Sequence, residues 1–123
     1  MICFVRLFHS PAMRGLVFIV CASLVAYGIF RASPPPTLFD NSDKVGHLVA
    51  FFGLAVSARL AMFRLSGWIF WPVLFGLAPL LEYLQGEWLP LREYSLEDSY
   101  ANGAGVALAL LLFWVFSVLR RNK

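Results

Sequence analysis

Asp43 and His47 stand four residues apart, Glu82 and Gln85 three, and Asp98 and Asn102 four. On a helix, each of these spacings puts two polar side chains on one face. Lys44 lies three before His47, and Arg92 lies between the second and third pairs. The residue types permit several chemistries. Glu82 and His47 can exchange protons as general base or acid, with Asp43 or Asp98 orienting the imidazole. Arg92, Lys44 and His47 can hold a phosphate or carboxylate. A divalent ion among Asp43, His47, Glu82 and Asp98 is chemically possible, but no ligand spacing in the sequence assigns a metal. No nucleophile stands out beyond Ser95, so catalysis stays open, and no cofactor is assigned.

Whether these side chains meet depends on the elements that carry them. The 123 residues are 60% hydrophobic and 14% charged, with a mean hydropathy of +0.74. Soluble domains carry about 25% charge, so this composition points to a membrane protein of one domain. A span needs about 20 mainly apolar residues. The candidates are 15–30, 45–63, 67–84 and 101–119. Pro11–Met13 can extend the first past Arg14, whose side chain can reach the headgroups. Backbone in lipid must satisfy its own hydrogen bonds, so the fold class is all-α, a four-helix transmembrane bundle.

Arg6, Arg14, Arg59, Arg64, Arg120, Arg121 and Lys123 then fall on one side, and Arg31, Lys44 and Arg92 on the other. Basic loops stay inside, so both termini are expected in the cytoplasm. The pI near 9.2 follows from that topology and implies no nucleic acid. All seven acids lie in or beside the two outer connections. The named polar residues therefore share one membrane depth. An ionisable group within a span costs roughly 2.5–3.5 kcal/mol on insertion scales. Glu82 and His47 are accordingly expected to face the interior, paired with each other, with Arg92 or with Lys44.

Local signals refine this layout. Pro34–Pro36 forbid helix after the first span. Asp40 or Ser42 is placed to cap the second span. A short link around Leu65–Gly67 predicts a tight antiparallel hairpin of spans two and three. Pro79 is expected to kink span three and free the Phe75 carbonyl. Ser95-Leu96-Glu97-Asp98 reads as a capping box. Ala101, Gly105 and Ala109 form a small-residue face suited to close helix packing, through which a homo-oligomer or a larger partner can dock. Cys3 and Cys21 are about 27 Å apart along a helix, too far for a disulfide. The first span lacks a small-x-small cleavage site and reads as an uncleaved helix.

Asp43-Lys44-Val45-Gly46-His47, with Phe51 and Leu54, resembles the D-K-x-x-H-x-x-x-F-x-x-L segment of VanZ-like membrane proteins. Glu82-Tyr83-Leu84-Gln85 is similar to that family's E-x-x-Q. Arg92, Ser95, Asp98, Asn102 and Gly105 match its R-x-x-S-x-x-D-x-x-x-N-x-x-G. The match runs in order from Asp43 to Gly105 and departs at Gly86–Leu91, where the family often has a longer loop. The resemblance implies a multi-pass bacterial protein of the cell (inner) membrane, related to teicoplanin resistance through the founding member alone.

Asp43, Lys44, His47, Glu82, Gln85, Arg92, Asp98 and Asn102 are thus the candidate ligand-binding set. The expected partner is membrane lipid or a lipid-linked envelope precursor. A small oligomeric transporter needs its acid near the midplane, and Glu82 sits toward one end. An assembly subunit without a ligand of its own is the third reading.

Overall fold

A computed structural model describes residues 9–122; Cys3, Arg6 and Lys123 lie outside them. Four helices follow in order: α1 (Pro11–Phe30), α2 (Ser42–Ala61), α3 (Gly67–Trp88) and α4 (Leu96–Arg121). All four are long and apolar enough to cross a membrane, and no strand occurs among the described residues. At 1.5 Å per residue they run about 30 to 39 Å, enough for a hydrocarbon core of ~30 Å. Large apolar side chains such as Leu24, Val73, Leu111 and Phe116 are exposed, as suits a surface that meets lipid tails. The chain is a multi-pass membrane protein.

Each inner helix builds its buried face by helical spacing. Phe51, Leu54, Ala55 and Ala58 form the stripe of α2, and Phe70, Leu74 and Ala78 that of α3. Glu82 and Gln85 continue the α3 stripe at the same spacing and are equally buried. On α4, Asn102 precedes Val106 and Ala109 in the same way. The polar residues therefore enter the interior on faces already turned inward by apolar packing.

The closest helix pair is α2 with α4, whereas α2 and α3 touch little. The expected tight hairpin of spans two and three is thus corrected. Met62–Ser66 reverses the chain, but the helices diverge because α4 takes the place beside α2. Gly105 explains the preference. A Cβ there would meet the Leu48 carbonyl oxygen, with Phe52 N at 2.8 Å and Phe51 Cβ at 3.1 Å. Only glycine allows the two backbones to approach so closely. Gly105 of the small-residue face of α4 thus packs against α2 of the same chain.

The contacts also fix direction. His47 meets Asn102, and Leu48 and Phe52 meet Gly105, so α2 and α4 run parallel. At the opposite end, Arg14 lies over the Phe63 ring at 4.7 Å, so α1 starts where α2 stops. Arg59 there donates to the Leu65 carbonyl at 2.7 Å and lies over Phe70, so it also fastens the link after α2.

Candidate functional site

Three helices bring their polar residues to one end of the bundle. The start of α2 is not capped as expected. Asn41 occupies the cap position with φ 61°, and neither Asp40 nor Ser42 supplies a capping bond. The Ser42 hydroxyl instead accepts from the Leu38 N–H at 3.1 Å, tying the incoming loop down. His47 lies one turn inside, with its side chain 15% exposed.

The Asn102 amide is fully buried and bridges two helices. Its Nδ2 donates to the Ala78 carbonyl at 3.2 Å, and its Oδ1 lies 2.8 Å from His47 Nδ1. A carbonyl can only accept, so Nδ2 must face Ala78 and Oδ1 must face the ring. Nδ1 therefore carries the proton, and Nε2 is turned toward Asp98 Oδ2 at 3.7 Å. The polar contact from α4 reaches Ala78, one residue before Pro79, not the Phe75 carbonyl expected to be freed. The α3 helix continues through both Pro72 and Pro79.

Glu82 is 1% exposed. Its Oε2 stands 4.0 Å from His47 Nδ1, and its Oε1 accepts from the Ser95 N–H at 3.3 Å. This contact completes and alters the expected capping box. Ser95 Oγ does accept from the Asp98 N–H at 3.2 Å. The reciprocal bond to the Ser95 N–H comes from Glu82 of α3 rather than from the Asp98 carboxylate. Asp98 is thereby released to face His47. Gly86 makes this possible, because a Cβ there would meet Tyr94 N at 2.8 Å. The connection folds back against α3 and delivers the Ser95 amide to Glu82. Gly86 and the Ser95 amide were absent from the expected set; a glycine ahead of a polar loop is the one local signal for the first.

The remaining members divide into two groups. Lys44 pairs with Glu97 at 3.2 Å and with Asp43 at 3.6 Å, so Asp43 and Lys44 form a rim and make no ion pair with His47 or Glu82. Arg92 makes no ion pair among the described residues. Its Nη2 donates to the Gly28 carbonyl at 3.2 Å, and Gln85 Nε2 donates to the Ile29 carbonyl at 2.8 Å. The last carbonyls of a helix lack partners within it. Arg92 and Gln85 supply two of them and so clasp the end of α1 to the site. The expected link of Arg92 to Glu82 is corrected for this reason. Gln85→Leu should leave the Ile29 carbonyl buried and unpaired, lowering stability by about 1–3 kcal/mol. Thermal unfolding in detergent checks this, and an unchanged midpoint would remove the clasp from the argument.

A cleft of about 820 Å³ opens between α1 and α2 beside this cluster. Leu24, Val25, Val49 and Leu54 give it an apolar wall, and Pro34–Leu38 cross its flank. Asp43, His47, Gln85, Arg92 and Asp98 line its polar end. Gly28, Gly46 and Gly53 also line it, and a Cβ on any of them would meet nothing within 4 Å. These glycines keep the cleft wide.

Fold and site define a multi-pass membrane protein with a His–Glu–Asp–Asn cluster, its Glu82 and Asn102 buried, at the head of an amphipathic cleft. Comparison with known proteins finds no matching family model, no similar curated protein and no similar solved structure.

Proposed function

We propose that this protein is a VanZ-like component of the bacterial cell envelope that binds an amphiphile, either a membrane lipid or a lipid-linked envelope precursor, in the α1–α2 cleft. One observation carries the reading: a single cleft joins an apolar wall within the spans to a polar end beside Glu82 and His47. An acyl or polyprenyl chain suits the wall. Arg92 in the lining, with Lys44 paired to the lining residue Asp43, suits a phosphate or carboxylate head. The order of Asp43, His47, Glu82, Gln85, Arg92, Ser95, Asp98, Asn102 and Gly105 supports the family reading. Transport is disfavoured, since the buried acid sits at one end of the bundle.

The test uses Gly53→Leu. The added side chain enters open space, so folding is expected to hold while the cleft fills. Mass spectrometry of amphiphiles that purify with the protein should show a species retained by wild type and lost from the variant. An identical profile would overturn the reading.

In this reading the polar end faces away from the cytoplasm in the inner membrane. The basic residues support it, because Arg14, Arg59, Arg64, Arg120 and Arg121 gather at the end carrying both termini. Reporter fusions after Lys123 are expected to be active only in the cytoplasm. Activity only on the far side would reverse the orientation.

A further inference from the structure

We propose that His47, Glu82 and Asp98 form a divalent-cation site of the zinc or manganese class. One donor atom from each of the three lies within 4.8 Å of the others. They come from α2, α3 and α4, so packing of the bundle assembles the set.

Three further observations point to a cation. The first is the histidine tautomer. With Nδ1–H held by Asn102, Nε2 is the ring nitrogen that faces the Asp98 carboxylate, at 3.7 Å. That gap is too long for a direct hydrogen bond. Two atoms each bound to zinc at ~2.0–2.2 Å in a tetrahedron lie about 3.4 Å apart. The observed gap is close to that value. The second is Asp98 Oδ1, which is buried with no hydrogen-bond partner. The third is Glu82, whose carboxylate is 1% exposed. A buried carboxylate must be neutralised, paired or ligated.

The surroundings match what a metal-bound imidazole needs. Such a ring donates its second N–H to an oxygen that fixes its orientation. Asn102 Oδ1 holds that place, and the Ala78 carbonyl holds Asn102 in turn. One nitrogen and two carboxylate oxygens suit a borderline or hard cation, not one that demands thiolates. Three protein ligands leave a coordination position for an outside oxygen. His47 and Asp98 both line the cleft. The proposal deepens the amphiphile reading, since the outside oxygen can be that of an anionic head group.

The experiment is titration of chelator-stripped full-length protein in detergent with Zn2+ and with Mn2+, each alone and without amphiphile. Wild type is expected to take up one equivalent. Glu82→Gln and Asp98→Asn should each bind at least ~10-fold more weakly. Glu87→Gln, an exposed acid away from the cluster, should bind as wild type does. If the two cluster variants fail to fold, Mn2+ electron spin echo spectra of His9→Gln protein decide. An imidazole nitrogen coupling then has to come from His47. Absence of saturable uptake by wild type overturns the proposal, as does equal uptake by the cluster variants or absence of the nitrogen coupling. Gly53→Leu alters no donor, so loss of amphiphile with intact metal uptake separates the two readings. Failure of metal uptake with a retained amphiphile separates them in the other direction and leaves imidazolium to pair the carboxylates.

Discussion

Gly105→Ala is expected to cripple the protein, although it adds a single methyl group. The new Cβ would be driven against the Leu48 carbonyl and the Phe52 amide, which are backbone and cannot swing aside. Overpacking of this kind costs about 1–3 kcal/mol, and more where backbone must move. The α2–α4 contact is the most extensive in the bundle. Asn102 sits one turn before Gly105, so prising the helices apart also pulls Asn102 from His47. The comparison is Gly103→Ala on the same helix, where a Cβ meets nothing within 4 Å. There the better helix propensity of alanine, up to ~1 kcal/mol, should leave stability equal or improved. Membrane abundance and the unfolding midpoint in detergent measure both. Equal behaviour of the two variants would mean that α2 and α4 do not pack this closely.

Glu82→Gln should have the converse signature, with the fold kept and function lost. Glutamine retains the shape of the side chain and an oxygen for the Ser95 N–H. Removing a charge from a buried position lowers the cost of insertion. Membrane abundance should therefore match or exceed wild type. What disappears is the negative charge opposite His47, at 4.0 Å from its ring. Glu82 acts on the cleft through His47, so amphiphile retention is expected to fall roughly 10-fold, about 1.4 kcal/mol. The measurement is the quantity of bound amphiphile per chain in wild type, Glu82→Gln and His47→Ala. Normal retention at normal abundance in both variants would reduce the cluster to scaffolding and leave the assembly-subunit reading.

The four helices could be read from the sequence because their signal is local. Each is a run of apolar residues long enough to cross a bilayer, and a helix in lipid satisfies its own backbone. Helices α1, α3 and α4 extend beyond the expected spans, as at Leu96–Arg121 against 101–119, because hydropathy marks the apolar run and capping marks the helix; α2 starts earlier than expected but stops at Ala61, short of 63. Ser95 as the start of α4 was legible for the same reason, since its partner amide is three residues away. The inward turn of Glu82 and His47 was legible too, because ionisable groups avoid lipid.

Partner choice among these groups was decided only in three dimensions. Arg92 and Gln85 look like members of the acid cluster when depth along the membrane is all that is known. They bind Gly28 and Ile29 because the end of α1 arrives with unpaired carbonyls. Asp43 shares a helix face with His47, yet Lys44 and the rim hold it, while Asp98 from α4 takes the place by the ring. A helix fixes which residues share a face, but not which neighbouring helix that face meets. That choice fell to Gly105 and Gly86, where the missing side chains let one backbone come close to another. Sequence spacing alone does not show such an approach, because the surface it admits belongs to a distant part of the chain.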